Sequence, residues 1–181
     1  MKYCILTIFC LAFIQIQAQI GDMFPEISAE TVNDEVVTIP SQTEGKYTLI
    51  GMAYSKKSEE DLNSWFEPIY MKFVYKPENP GIFDTFRHDI NVYFIPMFTG
   101  VKAAAQGTAK KKALTSVDPR LHPHILFYKG ELQKYKDALD FEKKDIPYFF
   151  VLDKGGKIIY ATSGSFTESK LDDIEEKIDE L

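Results

Sequence analysis

Few side chains in this sequence could act as a nucleophile or a redox centre. The two cysteines, Cys4 and Cys10, both lie in an apolar run near the N-terminus, so the chain beyond that run has no thiol. A thiolate is the attacking group in every dithiol exchange, and a serine hydroxyl, with its far higher pKa, cannot replace it. Ser55 and Lys56 place a hydroxyl beside an amine, but adjacent side chains seldom point at a common centre. No catalytic residue is therefore expected.

The histidines are the next candidates for chemistry. His122 and His124 flank Pro123, and with His88 they are all the histidines of the chain. In extended backbone, residues at i and i+2 share a face and could hold a metal ion. The spacing indicates no third ligand, and the proline favours a loop, so we expect a solvated or capping pair. Neither a metal site nor a cofactor is expected.

Charge excludes some classes of partner. The chain has 21 Lys and Arg against 27 Asp and Glu, a formal net charge of −6. An acidic surface argues against nucleic acid and against anionic membranes as partners. The run Lys110-Lys111-Lys112 is interpreted as a solvated helix end, where positive charge is favourable, with partner binding as the alternative. Residues 154–157 (KGGK) lack the spacing of a phosphate-binding loop and are interpreted as a hairpin turn.

Residues 1–19 have the pattern of a secretory signal peptide. Lys2 supplies a short positive region, residues 4–14 are almost unbroken apolar sequence, and Ala18 is a small residue for cleavage. The run is too short to span a membrane. The sequence therefore predicts an exported protein, periplasmic or secreted, with one domain at 20–181 and no stable membrane insertion once the leader is removed. An oxidising compartment permits disulfides, and this domain uses none.

Hydrophobic periodicity divides the domain into alternating strands and helices. A short β-branched run at 35–39 and a long apolar run at 47–54 predict two strands. Ser58, with Asp61 three residues later, predicts the N-cap of the following helix. Its apolar residues at helical spacing are Leu62, Trp65, Phe66, Ile69, Tyr70 and Phe73. That phase places Trp65 and Phe66 in the core.

The second half of the domain ends in a strong hairpin. The elements predicted before the hairpin are a strand at 91–98, a helix within 101–114, a short strand or buried turn at 125–128, and a helix at 132–141. Strands at 148–153 and 157–162 flank Gly155-Gly156, which supplies the positive φ of a tight turn. Thr167 opens a last amphipathic helix. Such an order favours an α/β fold, with a central mixed sheet flanked by helices.

Three segments resemble the thioredoxin-like redoxin superfamily, which includes peroxiredoxins and TlpA-like exported proteins. They are residues 21–25 (GDMFP), 45–50 (GKYTLI) and 146–158 (IPYFFVLDKGGKI). The resemblance covers nearly all of the chain beyond residue 19 and implies a thioredoxin-like fold. It also matches Pro147 to the cis-proline of that superfamily, so a cis bond is expected at Ile146-Pro147.

A weaker resemblance is to the mitochondrial ATP synthase assembly factors that have a degenerate thioredoxin domain. Four landmarks occur in a similar order along the two sequences. They are Trp65 with Pro68, then His122 followed by an apolar-aromatic run, then residues 128–139, and last residues 160–164. Spacing and aromatic residues carry this resemblance, rather than catalytic groups.

The redox motif of the superfamily is missing. Ser55-Lys56-Lys57-Ser58 stands where a thioredoxin has Cys-x-x-Cys, and three acids follow at 59–61. Acids in a first helical turn suit the helix dipole but disfavour an anionic nucleophile. A peroxiredoxin would also need a cysteine that is absent here. We therefore expect no dithiol oxidoreductase or peroxiredoxin activity.

The expected function is peptide or protein binding, or help with assembly. In the superfamily an extended peptide pairs with the loop that bears the cis-proline, and this mode needs no cysteine. The residues expected to line that groove are Tyr54, Ser55, Lys56, Lys57, Ser58, Ile146 and Pro147. Within it, Ser55 is expected to be exposed. The alternatives are an enzyme that uses an unrecognised non-thiol site and a domain that binds nothing specific.

Overall fold

The computed structural model describes residues 20–77 and 89–180. The predicted signal peptide at 1–19 and His88 lie outside the described residues.

A five-stranded mixed sheet forms the centre of the molecule. Its strands are β3 (Thr48–Ala53), β4 (Asn91–Thr99), β5 (Tyr128–Gly130), β6 (Tyr148–Leu152) and β7 (Ile158–Ser163), in the order β5-β4-β3-β6-β7. The β3–β4 and β4–β5 pairs are parallel, and the β3–β6 and β6–β7 pairs are antiparallel. The predicted mixed sheet is confirmed.

The central strands are apolar throughout because both of their faces are covered. Every residue of β3 and of β6 is buried. Gly51 lies opposite Phe149, and a Cβ at that position would come within 2.6 Å of the phenylalanine ring. The glycine therefore leaves room for the aromatic side chain on the facing strand.

Helices cover one face of the sheet. They are α1 (Lys56–Asn63), α2 (Phe66–Ile69), α3 (Gln106–Ser116) and α5 (Glu168–Asp179). A π-helical turn (Tyr70–Val74) continues α2, and 3-10 turns lie at Gly100–Ala105 and Pro119–His124. Trp65 is fully buried on this face, 4.2 Å from the ring of Phe149, and its Nε1 donates to Gly164 O. This confirms that Trp65 is a core residue.

The opposite face is covered by helix α4 (Gln133–Leu139) and by an antiparallel hairpin of β1 (Ile27–Glu30) and β2 (Val36–Ile39). β1 was not predicted. Within the described residues, one isolated bridge, between Glu30 and Phe127, connects it to the edge of the main sheet. The described chain has one cis peptide bond, at Ile39-Pro40.

Lys110 corrects the interpretation of the lysine run as a solvated helix end. It is only 7% exposed, its ammonium lies 2.8 Å from Glu30 Oε2, and it also pairs with Asp34. Lys111 and Lys112 are exposed, as expected. The local sequence could not reveal this ion pair because its acids lie on the distant β1–β2 hairpin.

The later predicted elements occur with shifted boundaries. The predicted hairpin is confirmed as β6 and β7, and Gly156 has the positive φ of +85° that its turn requires. Thr167 is the N-cap of α5, and its side chain accepts from Lys170 N–H. The short strand or buried turn predicted at 125–128 is buried at residues 125–127, where Ile125 and Phe127 form isolated bridges, and the strand begins at Tyr128. Within residues 20–77 and 89–180, no helix has the length and apolar character needed to cross a bilayer.

Candidate binding site at the start of helix α1

Two serines close the N-terminus of α1 with a reciprocal pair of hydrogen bonds. Ser55 is the N-cap, in extended conformation, and its Oγ accepts from Ser58 N–H at 3.0 Å. Ser55 N–H in turn donates to Ser58 Oγ at 2.9 Å. The prediction that Ser58 is the N-cap is wrong, because the helix begins one turn earlier. A capping box normally has Glu or Gln at its third helical position, and here a serine has that role.

The two hydroxyls are buried and fully engaged. Ser55 is 3% exposed and Ser58 is not exposed at all. Their oxygens lie 3.1 Å apart, and Ser55 Oγ donates to Asp145 Oδ1 at 2.8 Å. The expectation of an exposed Ser55 is therefore wrong, because its hydroxyl turns inward to cap the helix. Neither serine is available to attack a substrate in this arrangement.

Tyr54 forms an apolar wall beside the serines. Its ring stacks on Phe141 at 5.4 Å, and its hydroxyl donates to Phe141 O. Burial, together with the neighbouring Tyr148 and Asp145, raises the pKa of Tyr54 to about 12. The phenol is therefore neutral at physiological pH.

The loop before β6 reaches the serines but lacks the expected cis bond. Ile146-Pro147 is trans, so that prediction is wrong. A trans X-Pro bond is the favoured isomer by about 0.5–1 kcal/mol, and Pro147 O accepts from Gly164 N–H, which extends the β6–β7 ladder. The sequence motif around a proline does not by itself encode its isomer.

The two segments that carry the seven predicted groove residues are joined by one hydrogen bond, and most of the seven residues are buried. The bond from Ser55 to Asp145 joins the segment 54–58 to the loop that carries Ile146 and Pro147. Lys56 and Lys57 are exposed, Ile146 is half-buried, and the other four are buried. A ligand at this place would therefore meet mainly two lysines and one isoleucine.

A separate cavity of about 190 Å³ lies between α1 and α3. Its lining residues are Glu59, Leu62, Asn63, Phe66, Pro96, Phe98, Ala109, Lys112, Ala113, Ser116, Val117, Ile125 and Phe127. Burial raises the pKa of Glu59, and nearby Lys102 partly offsets this effect. Sequence analysis missed this cavity, although the small residues Ala109 and Ala113, four apart on a helix, were a possible signal of space above the sheet.

The histidines bind backbone carbonyls. His122 Nε2 lies 3.1 Å from Val117 O, and His124 Nδ1 lies 3.0 Å from Val92 O. His122 therefore binds the carbonyl at the C-cap of α3, in agreement with the expected capping role, whereas His124 binds a carbonyl of strand β4. In the part of the chain that the structure describes, no three His, Cys, Asp or Glu side chains are grouped as a metal ion would require.

Solved structures with the same fold include redox and assembly proteins. BsSco, of the Sco family of cytochrome c oxidase assembly proteins, is 10% identical over 91% of this chain and 98% of its own, with a TM-score of 0.56. Yeast Sco1 with copper bound is 18% identical; the match covers 91% of this chain and 96% of Sco1, with a TM-score of 0.52. The exposed lipoprotein thioredoxin Etrx1 from Streptococcus pneumoniae is 14% identical; the match covers 87% of this chain and 100% of Etrx1, with a TM-score of 0.52. At such identities these structures establish the thioredoxin-like fold alone.

Family membership comes from the sequence as a whole. No curated protein matches the chain with significance. A family model described as "ATP10 protein" matches residues 8–181. This match agrees with the resemblance carried by Trp65, Pro68 and His122. The chain therefore belongs to the ATP10 protein family, which is linked to ATP synthase assembly, and its fold is thioredoxin-like.

Proposed function

We propose that this chain is an exported, redox-inactive thioredoxin-like protein that binds a protein segment and assists the assembly of ATP synthase. The leader at 1–19 is removed, and residues 20–181 form the working domain. Family membership supports the assembly role. Etrx1, described as an exposed lipoprotein, is an example of this fold outside the cytoplasm.

The closed serine pair carries the proposal of redox inactivity. A redox motif needs a thiolate that a substrate disulfide can reach. Here Ser55 and Ser58 are buried, and their oxygens bind each other, the backbone and Asp145. The arrangement stabilises a helix end, which supports a role in recognition instead of thiol exchange.

The composition of the cavity favours binding over catalysis. An enzyme site brings several ionisable groups together at one centre. Only Glu59 and Lys112 of the cavity residues are ionisable, and most of the others are apolar. The proposed groove offers less support than the sequence suggested, because Pro147 is trans and both serines are buried.

Deletion of the gene in the source organism tests the assembly role. We expect the amount of intact ATP synthase on native gels to fall and to return when the wild-type chain is supplied. Unchanged assembly in the deletion strain would contradict the proposal. Redox inactivity is tested separately with the purified protein, which we expect to reduce insulin with dithiothreitol no faster than a heat-killed control.

A further inference from the structure

The cavity between α1 and α3 has apolar inner walls and a polar rim. Leu62 and Phe66 line it from the α1–α2 segment, Phe98 from β4, and Ile125 and Phe127 from the chain before β5. The polar lining side chains are Glu59 and Asn63 on α1 and Lys112 and Ser116 on α3. The space therefore has an apolar interior with charged groups at its entrance.

The size of the cavity restricts what can occupy it. Pockets for drug-sized ligands and cofactors occupy about 300–1,000 Å³. A cavity of about 150 Å³ lined by Leu, Ile and Phe holds one benzene molecule. At about 190 Å³, this cavity fits one leucine-sized or phenylalanine-sized group.

Glu59 gives the entrance a preference for positive charge. Its carboxylate is half-buried and, among the described residues, makes no hydrogen bond or ion pair. The cation that acts most strongly on it, Lys102, lies on the exposed 3-10 turn after β4. Lys112 at the opposite rim is exposed, so water already solvates its charge. A half-buried, unpaired carboxylate gains more from an incoming cation than a solvated ammonium gains from an incoming anion.

We propose that this cavity receives one leucine-sized side chain of the partner protein, next to a lysine or arginine that pairs with Glu59. The inference rests on the proposed binding function, and it places the contact beside α1 and α3 instead of at the serine groove. A few residues that fill well-packed, desolvated pockets commonly carry most of the binding energy of an interface, and arginine is enriched among them.

Small-molecule probes test the chemistry of the cavity directly. The ¹⁵N-labelled protein is titrated with 3-methylbutylamine, 3-methylbutan-1-ol or 3-methylbutanoate, which share one branched chain and differ in charge. We expect the shifts to fall on amides of the residues that line the cavity, in α1, α3, the end of β4 and the chain before β5. The amine should bind about three- to fivefold more tightly than the alcohol. Tightest binding of the acid, or no shifts in α1 and α3, would overturn the proposal.

Matched variants assign the preference to Glu59. Glu59→Gln should bring the affinity for the amine down to that of the alcohol. Glu60→Gln is the control, because Glu60 is exposed and makes only a 3.9 Å ion pair with Lys56. Ala109→Leu, which fills the cavity, should abolish binding of all three probes, with circular dichroism used to check folding. A wild-type preference that persists in Glu59→Gln would contradict the assignment.

The deletion strain separates this inference from the proposed function. If the wild-type chain restores ATP synthase assembly and Ala109→Leu, expressed at the same level, does not, the cavity is the docking site. Full rescue by Ala109→Leu would overturn the cavity as the docking site and leave the assembly role intact. Lack of rescue by the wild-type chain would instead contradict the assembly role.

Discussion

The serine pair at the start of α1 predicts that Ser55→Ala destabilises the protein. This substitution removes the N-cap acceptor for Ser58 N–H and the donor to Asp145. Loss of a serine N-cap costs about 1 kcal/mol. The hydrogen bond to Asp145 adds less than the 1.5–3 kcal/mol that is typical of a charged partner, because this carboxylate is exposed and water replaces the hydroxyl. We expect a total loss of about 1.5–2 kcal/mol.

Ser58→Ala should cost about 1–2 kcal/mol for a different reason. It leaves Ser55 N–H, which donates to Ser58 Oγ, without its acceptor in a buried position. Since the two serines share one network, the double variant should lose at least about 0.5 kcal/mol less than the sum of the single losses. Ser64→Ala is the control, because Ser64 is exposed at the other end of α1 and should stay within about 0.5 kcal/mol of wild type.

Equilibrium unfolding in urea, followed by circular dichroism, measures these differences in the free energy of unfolding. For a domain of this size each kcal/mol also lowers Tm by about 2–4 °C. A Ser55→Ala variant as stable as wild type, together with a destabilised Ser58→Ala variant, would refute the capping geometry. That pattern would place the helix start at Ser58.

Three further predictions follow from individual contacts. Lys110→Ala removes the ion pairs that the buried lysine makes with Glu30 and Asp34, and it should lower the free energy of unfolding by about 1–2 kcal/mol. The exposed control Lys111→Ala should lower it by less than about 0.5 kcal/mol. The guanidinium of Arg120 lowers the pKa of Asp118 to about 2. In Arg120→Leu, an NMR titration should show the pKa of Asp118 returning toward 3.8. An unchanged pKa would contradict the ion pair. This ion pair stabilises the fold fully above pH 3.8 and loses its effect as pH falls toward 2. The raised pKa of Tyr54 makes stability depend on alkaline pH instead of acidic pH. The contribution of its neutral phenol to stability is complete below pH 10 and is lost as pH rises toward 12. An absorbance titration of Tyr54→Phe should therefore show one late-ionising tyrosine fewer than the wild type.

The sequence was most informative where local signals agreed. The β6–β7 hairpin has two apolar runs around Gly155-Gly156, and it was predicted nearly to the residue. The α1–α2 segment was also predicted, because Leu62, Trp65 and Ile69 repeat at helical spacing. In both cases the information lies within a few residues of the element itself.

Features that depend on distant contacts escaped prediction. β1 is four residues long and half exposed, and it needs Phe127 as a bridge partner. Lys110 is buried only because two acids of the distant β1–β2 hairpin pair with it. The capping role of Ser55 was missed because Ser58 with Asp61 matched the usual capping pattern better. The cavity was missed because a volume between two helices depends on their tertiary packing, which the small residues Ala109 and Ala113 alone do not determine.

The most direct test of the central claim removes every thiol from the chain. Cys4→Ala with Cys10→Ala leaves a chain with no cysteine, since these are the only two. The variant is expressed in the deletion strain, and the amount of leader-processed chain is matched to wild type by immunoblot. Intact ATP synthase is then quantified on native gels. A protein that assists assembly without thiol chemistry should restore the complex as fully as the wild-type chain does. Rescue by wild type but not by the cysteine-free chain would contradict the account.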